Sequence, residues 1–331
     1  MFKILLVFLP FFLYCNEIKS KHILLLNSYN QSMNWVQSIT NAVQDTLEPN
    51  KNNLVIHIEN MDTKRIYTTT YLAQLKDTYK NKYRNITFEL ILSSDNNALD
   101  FLKENRNELF GDIPVSFSGI NFFKNTDLIG YSNYTGITED YNALETLRTA
   151  IKLKPNTKNI LIINDYMKTG IASKKAIQEQ LKNFSKTINI KYSNDTTITE
   201  LQNELKSLPK DSIVLLGVYF KDKDGKYFTY EKITNILTKN SDVPVFSLLE
   251  FNINNDVIGG SVVSAYHQGE VMAQIAKKIL SGIPLSQLPI QREESTKPIY
   301  NYNGLKKYNF DIDKLPNKII FSGKKPVIAC L

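Results

Sequence analysis

The chain is poor in the residues that carry most hydrolytic and metal chemistry. Its two cysteines, Cys15 and Cys330, cannot build a disulfide framework, and neither stands in a CxxC pair or beside a histidine, so no thiolate metal centre is expected. Its three histidines, His22, His57 and His267, lie far apart, with no HExxH and no nucleophile elbow, which removes the imidazole-based hydrolase signatures. Basic residues exceed acidic ones, for a formal charge of +7, yet they form no basic block. Such a surplus speaks to solubility and non-specific attraction, not to a nucleic-acid site. No nucleic-acid partner, metal or cofactor is therefore expected, and the lack of a catalytic constellation argues against an enzyme.

What is present fits a globular α/β protein. The 331 residues are 42% hydrophobic, 11% aromatic and 22% charged, which excludes disordered and fibrous classes and is comfortable for two lobes. The first residues, Met1 to Lys3, carry one basic group and precede an apolar stretch from Ile4 to Tyr14, shorter than the roughly 20 residues of a membrane span. Residues 1–15 read as a secretory signal cleaved after Cys15. The other reading is acylation of Cys15 as a lipoprotein, against which the bulky Tyr14 counts. Either way the mature chain is expected to be periplasmic, either free or tethered by lipid.

Beyond the signal, short β-branched or Leu-rich runs alternate with amphipathic segments, the rhythm of βα units around parallel sheets. A first series has strands at 22–27, 54–58, 89–92 and 113–117. A second series starts at 134–138 and continues with strands at 159–163, 188–191, 212–218 and 243–246. A helix over 269–280 and a proline-bearing tail complete the chain. The fold class expected is two Rossmann-like lobes with parallel sheets, one from 22–121 plus 252–286 and the other from 122–251 plus 287–331.

Parallel α/β sheets bind ligands at the carboxyl ends of their strands. In the first series those ends carry Ser28 and Tyr29, then Asp62, Lys64 and Arg65, then Ser93, Ser94, Asp95 and Asn96, then Asn121. Hydroxyls, amides and opposite charges at successive strand ends equip a site for a small polar molecule.

Six stretches in order, LLLNSYNQSMNW, ENMDTKR, SSDNNALDFL, IPVSFSGIN, NYTGITEDY and IGGSVVSAYHQGEVMAQIAKKILSG, resemble the ABC-transporter substrate-binding family with the type I periplasmic-binding fold. The likeness runs over about residues 22–290. It is closest to the branch that forms extracytoplasmic sensor domains of bacterial histidine kinases and cyclic-dinucleotide enzymes. The resemblance implies a small organic ligand, an amino acid or similar, closed between two lobes joined by hinge crossovers. It places Ser28, Tyr29 and Trp35 on the first cleft-lining loop and gives the turn Ser93 to Asn96 a ligand carboxylate to hold. Asp62 to Arg65 match the sensor branch's signature, and Asn121 and Glu139 flank the hinge. Asp165, Tyr219, Glu250 and Tyr266 are second-lobe or crossover candidates, where an acidic group would meet a ligand ammonium.

Each of these residues also admits a plainer role. Trp35 either stacks on the ligand or fills the core. Asp62, Lys64 and Arg65 either face the cleft or form a solvated turn. Ser93 to Asn96 serve as a helix cap, a role compatible with ligand contact. The segment DKDGKYFTYE lacks the first ligand of a calcium loop, where Phe220 stands, and reads as a hairpin turn. His267 reads as a surface or capping group. The sensor branch continues into a membrane helix and a kinase or cyclase, whereas this sequence ends in GKKPVIACL, so a separate partner is expected, a membrane permease or a sensor histidine kinase. A function from another class would be a hydrolase-like enzyme on the same scaffold, with Ser93 and His57 as nucleophile and base.

Overall fold

The computed structural model describes residues 20–193 and 195–322. The secretory-signal reading of residues 1–15 and both cysteines lie outside them. The first lobe is a sheet of five parallel strands, β1 (Lys21–Asn27), β2 (Leu54–Asn60), β3 (Phe88–Ser94), β4 (Val115–Asn121) and β5 (Tyr134–Glu139), in the order β2-β1-β3-β4-β5. Helices α1 (Asn34–Leu47), α2 (Thr69–Lys82) and α3 (Asp95–Leu109) connect the first four strands. Helix α1 forms because Val36, Ile39, Ala42, Val43 and Leu47 recur at helical spacing and are all buried, giving one apolar stripe to the sheet. Leu24 and Leu26 pack on one face of β1 and Ile23 and Leu25 on the other, the continuous apolar run of a strand covered on both faces.

The second lobe repeats the plan. Strands β6 (Asn159–Ile163), β7 (Asn189–Ser193), β8 (Ser212–Leu216) and β9 (Val245–Ser247) form a parallel sheet ordered β7-β6-β8-β9. Helices α4 (Ala143–Leu153), α5 (Lys168–Leu181), α6 (Ile198–Lys206) and α7 (Tyr230–Asn240) cover it. A three-stranded sheet of β10 (Gly259–Val262), β11 (Lys297–Asn301) and β12 (Ile320–Ser322) follows. Between its strands come α8 (Ala265–Leu280) and the short α9 (Tyr302–Lys307). No helix among the described residues is long and apolar enough to cross a membrane.

Two segments sit on a different side from the one the sequence suggests. The strand at 134–138, taken to open the second lobe, pairs with β4 and ends the first sheet. It fits there because residue 136 is glycine: a Cβ on Gly136 would lie 2.2 Å from the Phe117 carbonyl oxygen. Residues 258–263, expected from sequence in the first lobe, lie against the second, since Ile258 and Val263 share a core with Ile160, Leu215 and Phe246. The helix that follows does return, because Met272, Ala273 and Ala276 of α8 pack with Ile39 and Val43 of α1. The chain thus passes between lobes after β5, before α8 and again between α8 and β11. Gln268 ties these passages together from a buried position, accepting from the Gly119 N–H at 2.9 Å and donating to the Thr138 and Ser295 carbonyls at 3.0 and 3.2 Å.

Candidate functional site

In both sheets the strand order reverses beside the first strand, between β1 and β3 and between β6 and β8. Such switch points leave a crevice at the strand ends because neighbouring loops depart in opposite directions. Here the two crevices face one another across a cavity of about 260 Å³. The first lobe lines it with Tyr29, Met33, Trp35, Lys64, Asp95, Asn121 and Glu139. The second contributes Asp165, Met167, Thr169, Val218, Phe220, Tyr227, Tyr230, Leu249 and Phe251, with Tyr141 at the crossover. Hollows of about 440 and 450 Å³ elsewhere are lined by first-lobe surface and α8 residues alone, so neither could couple a ligand to lobe closure.

Asp95 is the centre of the first-lobe wall. It is the first residue of α3 and is held in the left-handed region at φ 67°, a conformation that non-glycine residues adopt at a cost and that concentrates at functional positions. The Trp35 indole N–H donates to its Oδ2 at 3.1 Å. Gly119, also left-handed at φ 69°, backs the carboxylate closely: a Cβ there would stand 3.2 Å from Asp95 Oδ1 and 3.3 Å from the indole ring. Burial lifts the pKa of Asp95 to about 7, against the opposing pull of the Trp35 bond, Lys64 and Ser94, because a desolvated carboxylate favours its neutral form.

Glu139, at the end of β5, brings a second buried carboxylate. Burial and then repulsion from Asp95 push it well above the usual carboxylate range, against the Asn121 hydrogen bond and Lys64. Asn121 donates to Glu139 Oε2 at 2.8 Å, and its own N–H donates to Asn96 Oδ1 at 3.2 Å. Lys64 is the cation of this wall, with its ammonium 4.6 Å from the centre of the Tyr29 ring. The phenol of Tyr29 is driven above its ordinary range by burial and then by Asp95 and Glu139.

The second-lobe wall is different in kind. Asp165 lines the cavity, but Oδ1 accepts the Met167 N–H at 3.1 Å and Oδ2 the Phe220 N–H at 2.8 Å. Burial raises its pKa and these backbone bonds oppose the rise. Its carboxylate joins the loop after β6 to the loop after β8, so it positions backbone more than it offers charge. Aromatic rings make up the rest: Phe220 stands edge-on to Tyr230 at 5.1 Å, Tyr230 lies 5.2 Å from Phe251, and Phe251 meets Trp35 of the first lobe edge-on at 6.0 Å. Met167 precedes α5 without a side-chain cap, so the first-turn N–H groups of that helix get no cap from it, and Met167 and Thr169 both face the cavity.

Of the residues named from sequence, Tyr29, Trp35, Lys64, Asp95, Asn121, Glu139 and Asp165 come together here. The others lie outside the lining. Ser28 is a structural tie, donating to the Ser94 carbonyl at 2.7 Å and accepting the Ala98 N–H at 2.8 Å, so it caps α3 from the neighbouring strand. Ser94 donates to Asn27 Oδ1, and Ser93 Oγ is buried without a hydrogen-bond partner among the described residues. Asn96 braces Asn121. Asp62 and Arg65 pair with each other at 3.2 Å in a turn that leaves Arg65 exposed. Tyr219 is buried against Phe228 and the core under β8. Glu250 starts a short turn whose N–H donates to the Val263 carbonyl, and Tyr266 donates to Asp45 on the outer surface. A ligand carboxylate at the turn Ser93 to Asn96, as the resemblance implied, would meet Asp95 and Glu139, two like charges.

Ser93 and His57 do not meet as nucleophile and base. The His57 Nε2 shares a hydrogen bond with His22 Nδ1 at 2.9 Å, and its ring packs on Tyr83 and Phe88. His267 is buried rather than at the surface, with Nε2 against the Glu294 carbonyl at 2.7 Å. In the segment after Phe220, Asp222 accepts the Lys226 and Ile198 N–H groups and Lys221 bridges Tyr227, a hairpin turn. That turn carries Tyr227 and leads to Tyr230. Neither tyrosine, nor Phe251, stands out in the sequence, because an aromatic in an α/β chain reads first as core.

The sequence profile of the ABC transporter substrate binding protein family matches residues 110–319, well over half the chain. The chain belongs to that family. Members bind small ligands outside the cytoplasm and deliver them to a membrane permease. They are solute-binding proteins, not enzymes. No curated protein matches the chain in sequence. Among solved structures, the fold is shared with the ligand-free, open form of a substrate-binding protein with adhesive properties from Clostridium difficile, at 16% identity, TM-score 0.64, and coverage of 92% of this chain and 100% of that one. It is also shared with an ABC domain in complex with L-tryptophan from Streptococcus pneumonia, at 14% identity, TM-score 0.56 and coverage of 91% and 100%. An arabinose-binding protein from Geobacillus stearothermophilus matches at 12% identity and TM-score 0.54, over 84% and 96% of the two chains. At such identities the likeness speaks to the two-lobed fold alone.

Proposed function

We propose that this substrate-binding protein takes an aromatic amino acid. The observation that carries the reading is the division of the cavity: two buried carboxylates on one wall, Asp95 and Glu139, and a cluster of rings on the other. A ligand ammonium is the group that two buried carboxylates recognise through charge-assisted hydrogen bonds. The ligand's own carboxylate then points to the second lobe, toward the start of α5 where Met167 and Thr169 line the cavity and the positive end of the helix dipole lies. Its ring lies among Phe220, Tyr230 and Phe251. The cavity of about 260 Å³ is below the range of about 300–1,000 Å³ typical for drug-sized ligands, which suits an amino acid. One end held by each lobe makes the ligand bind the closed form better than the open one, the differential contact that shifts a population.

Supporting this reading, one structural neighbour is described in complex with L-tryptophan. Thermal shift and calorimetry with L-tryptophan, L-tyrosine and L-phenylalanine test it, with L-glutamate and L-arabinose as comparators. An aromatic amino acid at about 100 times its Kd should stabilise the native state by about 2.7 kcal/mol. Binding of arabinose or glutamate in preference to all three would overturn the proposal. Handover to a membrane permease is the output family membership favours. Signalling through a sensor histidine kinase is a second reading, motivated by the likeness of ENMDTKR to the sensor branch, and cross-linking in membranes with the ligand present separates the two. Export by residues 1–15 belongs to the same proposal, and the amino terminus of the mature protein tests it.

A further inference from the structure

Counting charge in the cavity leaves one negative group without a counter-ion. Asp95 and Glu139 are both buried, and the carboxylate of Asp165 is already taken by two backbone N–H groups. Among the described residues Lys64 is the only basic side chain in the lining. Around the pair, Tyr29, Tyr141 and Tyr230 are phenols that burial keeps neutral. Asp140, next to Glu139, is paired with Arg292 at 3.2 Å. Two buried carboxylates that line one cavity, with Lys64 held over the Tyr29 ring and paired to neither, cannot both ionise cheaply, and such pairs titrate together.

We infer that Asp95 and Glu139 hold one proton between them in the ligand-free protein and exchange it for the ligand's ammonium group. The proton leaves to solvent as the ammonium enters, so the cationic charge beside the pair is conserved: proton plus Lys64 before, ammonium plus Lys64 after. The two carboxylates are then a single recognition element that demands a positively charged ligand nitrogen, and binding weakens as the medium acidifies because proton and ligand compete. Burial raises the pKa of both groups, Asp95 to about 7 and Glu139 well above the usual carboxylate range, so the pair still holds a proton at neutral pH for the ligand to displace. The inference deepens the proposed function, whose ammonium contact it uses.

The test is calorimetry of L-tryptophan binding at pH 7 in phosphate and in Tris, two buffers whose ionisation heats differ greatly. Release of a substantial fraction of one proton should make the measured heat depend on the buffer, and affinity should rise by up to about tenfold per pH unit below pH 7. Asp95→Asn and Glu139→Gln should each abolish the buffer dependence. Tight binding with buffer-independent heat would overturn the proton exchange and leave the amino-acid reading standing. Failure of every amino acid to bind would overturn that reading instead. The held proton is then decided without ligand: infrared spectra of the free protein at pH 7 should show a protonated-carboxyl stretch that Glu139→Gln or Asp95→Asn removes, and absence of that band would overturn the inference. Far-ultraviolet circular dichroism on both variants confirms that the fold is kept.

Discussion

The two lobes share one architecture and present opposite chemistries to the cavity. The first sheet ends in ionisable groups whose charge is incompletely answered by protein, Asp95, Glu139 and Lys64. The second ends in rings and in an aspartate whose oxygens are already satisfied by backbone. The comparison teaches that equivalent strand ends are not equivalent sites: an acid that lines a cavity contributes charge only if its hydrogen-bonding capacity is left open. Under the proposed function, polar groups of the first lobe hold the ligand's ammonium and rings of the second pack on its side chain.

The largest expected effect breaks the first-lobe side. Asp95→Ala removes a charged partner and orphans the Trp35 N–H, and by the range for hydrogen bonds to charged groups it should cost ligand binding about 1.5–3 kcal/mol, read by calorimetry as a loss of roughly ten- to a hundredfold. On the second lobe, Gly170→Ala sets a methyl 2.0 Å from Asp165 Oδ1 and 2.4 Å from its carbonyl oxygen. Overpacking of that kind costs about 1–3 kcal/mol, and it should lower the melting temperature even without ligand. If instead stability is unchanged, Asp165 is not a brace between the two loops. Phe251→Ala, which opens the ring contact between the lobes, should weaken the affinity for aromatic ligands more than for small aliphatic amino acids, a difference that would disappear if the rings were only core.

Smaller effects sharpen the comparison. Asp95 has a raised pKa in the folded chain, so its protonated form is the one the fold favours. The associated stability is fully present below about pH 4, the ordinary aspartate value, and is lost as pH rises through about 7. Chemical denaturation of ligand-free protein across pH 4 to 8 should show the native chain losing stability relative to Asp95→Asn as pH rises. Arg65→Ala should be nearly silent, within about 0.5 kcal/mol, because its partner Asp62 is reached only across an exposed turn. A marked loss of ligand affinity in that variant would place the turn in the site after all.

Much of the architecture was legible in the sequence. Runs such as HILLLN and NILII, with helical spacing between them, marked buried parallel strands because a strand covered on both faces must be apolar throughout. Polar strand ends supplied Asp95 and Asn121 to one wall of the cavity, while the serines beside them turned inward, Ser28 and Ser94 as ties between strands. The lobe assignment of residues 134–138 was not legible by periodicity, since a strand pattern does not name its neighbour; the missing Cβ of Gly136 was the available signal. The aromatic wall escaped notice for a similar reason. Tyr230 starts a helix and Phe251 lies on a short turn some twenty residues on, and only folding brings their rings within 5.2 Å of one another.

By itself, the sequence determined the alternation of strands and helices, the apolar faces that pack them into two sheets, and the polar character of the first lobe's strand ends, because these depend on local spacing and residue type. Tertiary structure alone decided what each acid meets. Whether a carboxylate meets a backbone N–H, as at Asp165, or a second carboxylate, as at Asp95, depends on loops far apart in the chain arriving at the same place, and on burial, which makes the difference costly enough to shape what the cavity can bind.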